Sequence, residues 1–118
     1  MKNFRNYEVW KDGVAFSAHV YQLTEQFPKK EMYALCDQLQ RASVSIPSNI
    51  AEGCSRRSQS EFAHYLEISL GSSYEIETQM EIAHILKYVT DEQYDVAIET
   101  VQSIEKKLTN LINTIRND

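Results

Sequence analysis

Turn-forming residues are scarce in this chain. Its 118 residues hold three glycines and two prolines, too few for an all-β fold, whose many reversals draw on these residues. Cysteine is scarce as well. Cys36 and Cys54 fit no CxxC or zinc spacing and read as small reduced fillers of a cytoplasmic protein. No apolar run approaches the ~20 residues of a membrane span. The opening stretch MKNFRNYEVW lacks the apolar core of a signal peptide, so the expectation is an intracellular protein without membrane contact. Positive charge is also in short supply. A formal net charge of −5 disfavours a general nucleic-acid surface. The imbalance is uneven: residues 1–59 hold eight Lys/Arg against six Asp/Glu, and residues 60–118 hold four against eleven. A local basic patch is therefore open only to the first half.

What is present is helical periodicity over one stretch of single-domain length, 1–118. Around LCDQLQRASVSIPSNIAEGCSRRS the 3.6-residue repeat puts Leu35, Leu39, Ala42, Ile46, Ile50 and Gly53 on one stripe. Small residues, among them Ser43, Val44, Pro47, Ala51 and Cys54, form a second arc. A third, polar arc carries Arg41, Ser45, Ser48, Glu52 and Arg56, with Asn49 at its border. A helix apolar over more than half its girth belongs inside a bundle. Pro47 lacks an N–H, so a bend is expected there, with Asn49 and Ser48 satisfying carbonyls that it frees.

Three further helices flank this one. The first is expected from about Tyr7 to Thr24, and Pro28 then suits the first turn of the second helix. Ser58 with Glu61, and Thr90 with Gln93, have capping-box spacing. They predict helices running to about Tyr88 and to about Arg116. Small residues at Gly71-Ser72-Ser73 would let another backbone approach closely. Four long helices on short turns predict an all-α, antiparallel up-down-up-down four-helix bundle. The first helix carries more apolar surface than one core requires. Beside its Val9, Phe16, Val20 and Leu23 stripe runs an aromatic one, Tyr7, Trp10, Val14 and Tyr21. That second stripe is assigned to a subunit boundary, because large rings anchor interfaces at low entropic cost.

Chemical motifs are weak. Glu61-Phe-Ala-His64 and Glu81-Ile-Ala-His84 have di-iron ExxH spacing, but both fall on one helix about 30 Å apart, so solvated histidines are the default. Arg57 and His64 fit the R-x(4–6)-H pattern of helical HEPN-type ribonucleases, in which His acts as base and Arg stabilises a phosphorane. This is the alternative, enzymatic reading. The polar column has three readings: a solvated face with a Glu52–Arg56 pair, a subunit contact joining Arg41 and Glu52, or a phosphate site built on Arg41 and Arg56. Any RNA contact would be confined to Arg41, Arg56, Arg57, Lys29 and Lys30, and would weaken with salt.

The stretch QLQRASVSIPSNIAEGCSRRSQSEFAHYLEISLGSSYEIETQ resembles the bacterial four helix bundle proteins, also called 23S ribosomal RNA intervening-sequence proteins. The accessory variability protein of diversity-generating retroelements is related to them, and binds a reverse transcriptase and nucleic acid. The resemblance begins near YQLTEQFPKKEMYALCDQL and runs to about Tyr88. It implies a homopentameric ring of antiparallel bundles, with no enzymatic activity and no cofactor. The chain is therefore expected to be a non-catalytic, homo-oligomeric scaffold for a macromolecular partner, protein or RNA.

Overall fold

The computed structural model describes residues 2–117. After a short 3-10 turn at Phe4–Asn6, the chain forms helix α1 (Glu8–Thr24) and a second 3-10 turn (Lys29–Glu31). Helices α2 (Leu35–Cys54), α3 (Gln59–Ile85) and α4 (Asp91–Arg116) follow. The molecule is a rod, 45 × 22 × 19 Å. Each helix packs against its sequence neighbours and α1 closes on α4, with no backbone approach within 8 Å across either diagonal among the described residues. Lys107 of α4 reaches Glu8 and Asp12 at the start of α1, at 2.8 and 2.5 Å. At the other end, Gln26 bonds the Tyr88 carbonyl at 2.9 Å and donates to Gln93 of α4. Arg116 pairs with Glu67 near the start of α3 at 2.7 Å.

The core is one cluster drawn from all four helices. The α2 stripe Leu35, Leu39, Ala42, Ile46 and Ile50 is buried as its spacing requires, and so is the α3 row Phe62, Leu66, Ile76, Met80 and Ala83. Small residues close the seams. Ser17 of α1 meets Ser43 of α2 at 3.3 Å, and Ser69 of α3 donates to the Ile46 carbonyl at 2.8 Å. Gly53 lets Phe62 and Tyr65 lie against the end of α2; a β-carbon there would be 2.9 Å from Tyr65 Cβ.

Helix α2 continues through Pro47. Asn49 Nδ2 bonds the Ser45 carbonyl and hydroxyl, both at 2.9 Å, and not the Ser43 carbonyl that the proline leaves open. The amide reaches one turn back, and Ser43 lies further away. Three other expectations are corrected. Pro28 begins the Lys29–Glu31 turn, and α2 starts only at Leu35. Helix α3 ends at Ile85, because Lys87 adopts a left-handed φ of 62°. The bonds Tyr88 N–H to Ala83 O and Lys87 N–H to His84 O complete a Schellman stop. Gly71 meets no neighbouring helix, since nothing outside its own helical turn lies within 4 Å of a β-carbon built there. Its 100° offset from Ser72 turns it to the outer face while Ser72 and Ser73 are buried.

Candidate functional site

The polar column of α2 borders α3, and its members divide between two clusters. Near the middle of the rod, Ser45 and Ser72 share a hydrogen bond of 2.8 Å, and Asn49 holds Ser45 from below. Arg41 stands alongside, with its side chain 80% exposed and its Nε donating to Asp37 at 3.0 Å. Arg41, Ser45 and Ser72, with Gln38, Ala42, Glu75 and Gln79, line a groove of 310 Å³ between α2 and α3. At the end of α2, Arg56 is committed to its own chain. It pairs with Glu52, donates to the Tyr65 hydroxyl at 2.8 Å and lies over the Tyr65 ring. The Glu52–Arg56 pair was legible from its i,i+4 spacing; the Tyr65 contact was not.

The other basic candidates are not brought together with these. Lys29 and Lys30 are exposed in the turn before α2, while Arg57 is exposed in the turn after it. Twenty helical residues separate those turns, a rise of about 30 Å. No single phosphate spans that interval; an extended strand would be needed. His64 is exposed on α3 with its ring edge-on to Tyr65, and neither it nor Arg57 lines the grooves described here.

The two ExxH motifs have separate surroundings. His84 bonds Asp91 at 2.7 Å and stacks on Tyr94, whose hydroxyl donates to Glu81. That hydrogen bond raises the Tyr94 pKa above its ordinary value. Among the described residues no three His, Cys, Asp or Glu side chains converge as a metal-binding group. Burial likewise pushes both cysteine thiols up, and both are free. No helix among these residues is long and apolar enough to cross a membrane.

The aromatic stripe of α1 is divided. Tyr7 lies edge-on to Phe62 at 5.8 Å, and Trp10 lies edge-on to Phe4 at 5.0 Å with Arg5 above it. Val14 and Tyr21, further along, are 43% and 47% exposed. Sequence reasoning missed a carboxyl at the α3–α4 seam. Glu105 has its pKa pushed up to about 8, first by burial and then by the hydrogen bond and charge of Glu77. It also missed Glu75 and Gln79. Their only signal was spacing: Ser72, Glu75 and Gln79 form a polar strip at i, i+3 and i+7 beside the buried row of α3.

Residues 5–110 match the model of a family described as 23S rRNA-intervening sequence protein. The chain belongs to that family. A solved structure from the S23 ribosomal protein family, a Bacteroides thetaiotaomicron protein of unknown function, has a similar fold with a TM-score of 0.83. It is 25% identical, over 89% of this chain and 95% of that one. The search of curated proteins finds no match. Family membership thus agrees with the resemblance carried by the Arg41–Gly53 block.

Proposed function

We propose that this family member is a non-catalytic helical scaffold: a one-domain, antiparallel up-down-up-down bundle that assembles into a homo-oligomeric ring and holds a macromolecular partner, protein or RNA. The end-to-end contacts of α1 with α4 support the antiparallel order. Two free, buried thiols support a cytoplasmic home.

One observation carries the reading. Helix α3 is apolar on two opposite faces. Its buried row faces the core, and a second row, Ile68, Gly71, Tyr74, Thr78, Ile82 and Ile85, steps by three or four residues along the outside. Those outer side chains are uncovered, Tyr74 at 53% and Ile85 at 70% exposure. A helix needs only one apolar face to join its own core, so the second is available for another chain, a further copy along part of its length and a partner along the rest. The resemblance to ring-forming bundles supports five copies.

Light scattering of the protein at micromolar concentration tests the assembly. The expected mass is several times 13.7 kDa, most simply fivefold. A monomer overturns it.

A further inference from the structure

We propose that the α2–α3 groove is an anchor site for an arginine side chain presented by a separate protein partner. The inference rests on the scaffold reading and names the chemistry of its partner. Two adjoining grooves of 310 and 370 Å³ share one wall, formed by Gln38, Glu75 and Gln79. Gln79 is only 9% exposed, yet its side-chain carbonyl oxygen has no hydrogen-bond partner. Buried amide oxygens are ordinarily satisfied, so this acceptor lacks a donor that the chain does not supply. Glu75, one helical turn earlier on the same face, enters none of the ion pairs among the described residues. One buried acceptor without a donor and one exposed carboxylate without an ion-pair partner therefore lie at the shared wall.

The charge of the site selects the ligand. Arg41, on the same groove, is paired with Asp37, and Glu75 has no ion-pair partner of its own within a half-chain that is strongly acidic. A phosphate would meet that carboxylate, whereas a cation is attracted to it. A guanidinium fits better than an ammonium. Its planar fork donates to a carboxylate and to a neighbouring carbonyl at once, and it is the more weakly hydrated of the two. The second groove adds Tyr74 and Ile82, an exposed ring face and an apolar wall of the kind that receives a guanidinium and its methylene stem. Arginine is also a favoured interface anchor. These observations favour protein over RNA as the occupant.

The test is an NMR titration of the full chain with N-acetyl-arginine amide at constant ionic strength, compared with N-acetyl-lysine amide. Octauridylate serves as the RNA probe. Arginine amide is expected to shift the Gly71 and Ser72 amides and the Gln79 side-chain NH2. Lysine amide should bind at least about threefold more weakly, lacking the fork. Glu75→Gln, an exposed change that leaves the core untouched, should weaken binding about fivefold, the scale of one exposed charge pair. Gln79→Leu, which replaces an unsatisfied acceptor by an apolar group of similar length, should keep the fold and lose the arginine preference. Equal binding of the two amides, shifts elsewhere, or indifference to Glu75→Gln overturns the proposal. Octauridylate shifting the same residues more strongly would assign the groove to RNA and overturn it as well. A fall in oligomer mass in Glu75→Gln would place a second copy's arginine there, against a separate partner. The scaffold reading stands or falls separately, on the mass of the unmodified protein.

Discussion

A β-carbon placed on Gly13 of α1 would lie 3.3 Å from both Cβ and Cδ of Pro47 on α2. The proline that interrupts the hydrogen bonds of α2 is thus also the surface on which α1 rests, and a glycine is what lets the two backbones approach. Ser17 and Ser43 continue this close seam one turn further along.

The three glycines consequently predict three outcomes. Gly71→Ala should stabilise the fold by ~0.5–1 kcal/mol, because the position is helical and open. Gly13→Ala should be near neutral, since the same propensity gain is offset by contact with the rigid proline ring. Gly53→Ala should destabilise by ~1–3 kcal/mol, the range for overpacking, because the new carbon meets Tyr65 Cβ and Phe62. Thermal melts rank the three, and any other order contradicts the packing described. A drop in oligomer mass for Gly71→Ala, with its fold stabilised, would mark that open position as a contact between copies.

Local signals were legible where the chemistry that makes them is local. Ser58 accepts from the Glu61 N–H as its position implied, and Thr90 and Gln93 form the reciprocal box. The start of α2 was not legible, because Ala34 at its N-cap offers no side-chain acceptor. Glu31 accepts from Leu35 N–H, and that carboxylate is itself fixed by the Tyr88 hydroxyl, 57 residues away in sequence. The stop of α3 was missed because a lysine takes the left-handed position that glycine usually marks. At the site, Arg41 and Ser45 were visible as a column on one helix. The groove needed the facing residues Glu75 and Gln79, and pairing between helices leaves no mark in a single helical repeat.

Glu105 makes stability depend on pH. Its folded pKa of about 8 lies above the ordinary carboxylate value, so the folded protein holds a proton that the unfolded chain releases. The stability this confers is complete below the unfolded pKa and is lost as pH rises through about 8. Melting temperature should fall between pH 5 and pH 8, and Glu105→Gln should flatten that fall by keeping the seam neutral. An unchanged slope in the variant would assign the effect to other groups.

Arg41 and Arg56 should separate when each is replaced by alanine. Arg41→Ala removes an exposed pair and should shift stability by less than ~1 kcal/mol. Arg56→Ala strips a partner from Glu52 and from Tyr65 together, so a loss of ~1–3 kcal/mol is expected. If RNA binds this face, the double variant should lose the affinity and its steep salt dependence. Unchanged affinity of octauridylate for the double variant would place any RNA contact elsewhere.

The divided stripe of α1 yields the last prediction. Trp10 is half-buried, and its ring already has partners in its own chain, Phe4 edge-on and Arg5 above. Truncating a fully buried Trp or Phe costs ~3–5 kcal/mol, and a half-buried ring should cost a fraction of that. Trp10→Ala is therefore expected to melt earlier by ~1–3 kcal/mol, through release of the Phe4–Asn6 turn. Tyr21 has a different position: its ring is exposed, and among the described residues it enters no aromatic pair. Tyr21→Ser should leave the melting of the isolated bundle almost unchanged, because little packing is removed. If α1 meets a second copy, as its aromatic stripe predicts, Tyr21→Ser should lower the oligomer mass while helical circular dichroism is retained. Paired light scattering and thermal melts on both variants decide the matter. Loss of mass in Trp10→Ala with an unshifted melt would return the whole aromatic stripe to the subunit boundary. Intact mass in Tyr21→Ser would remove this end of α1 from it.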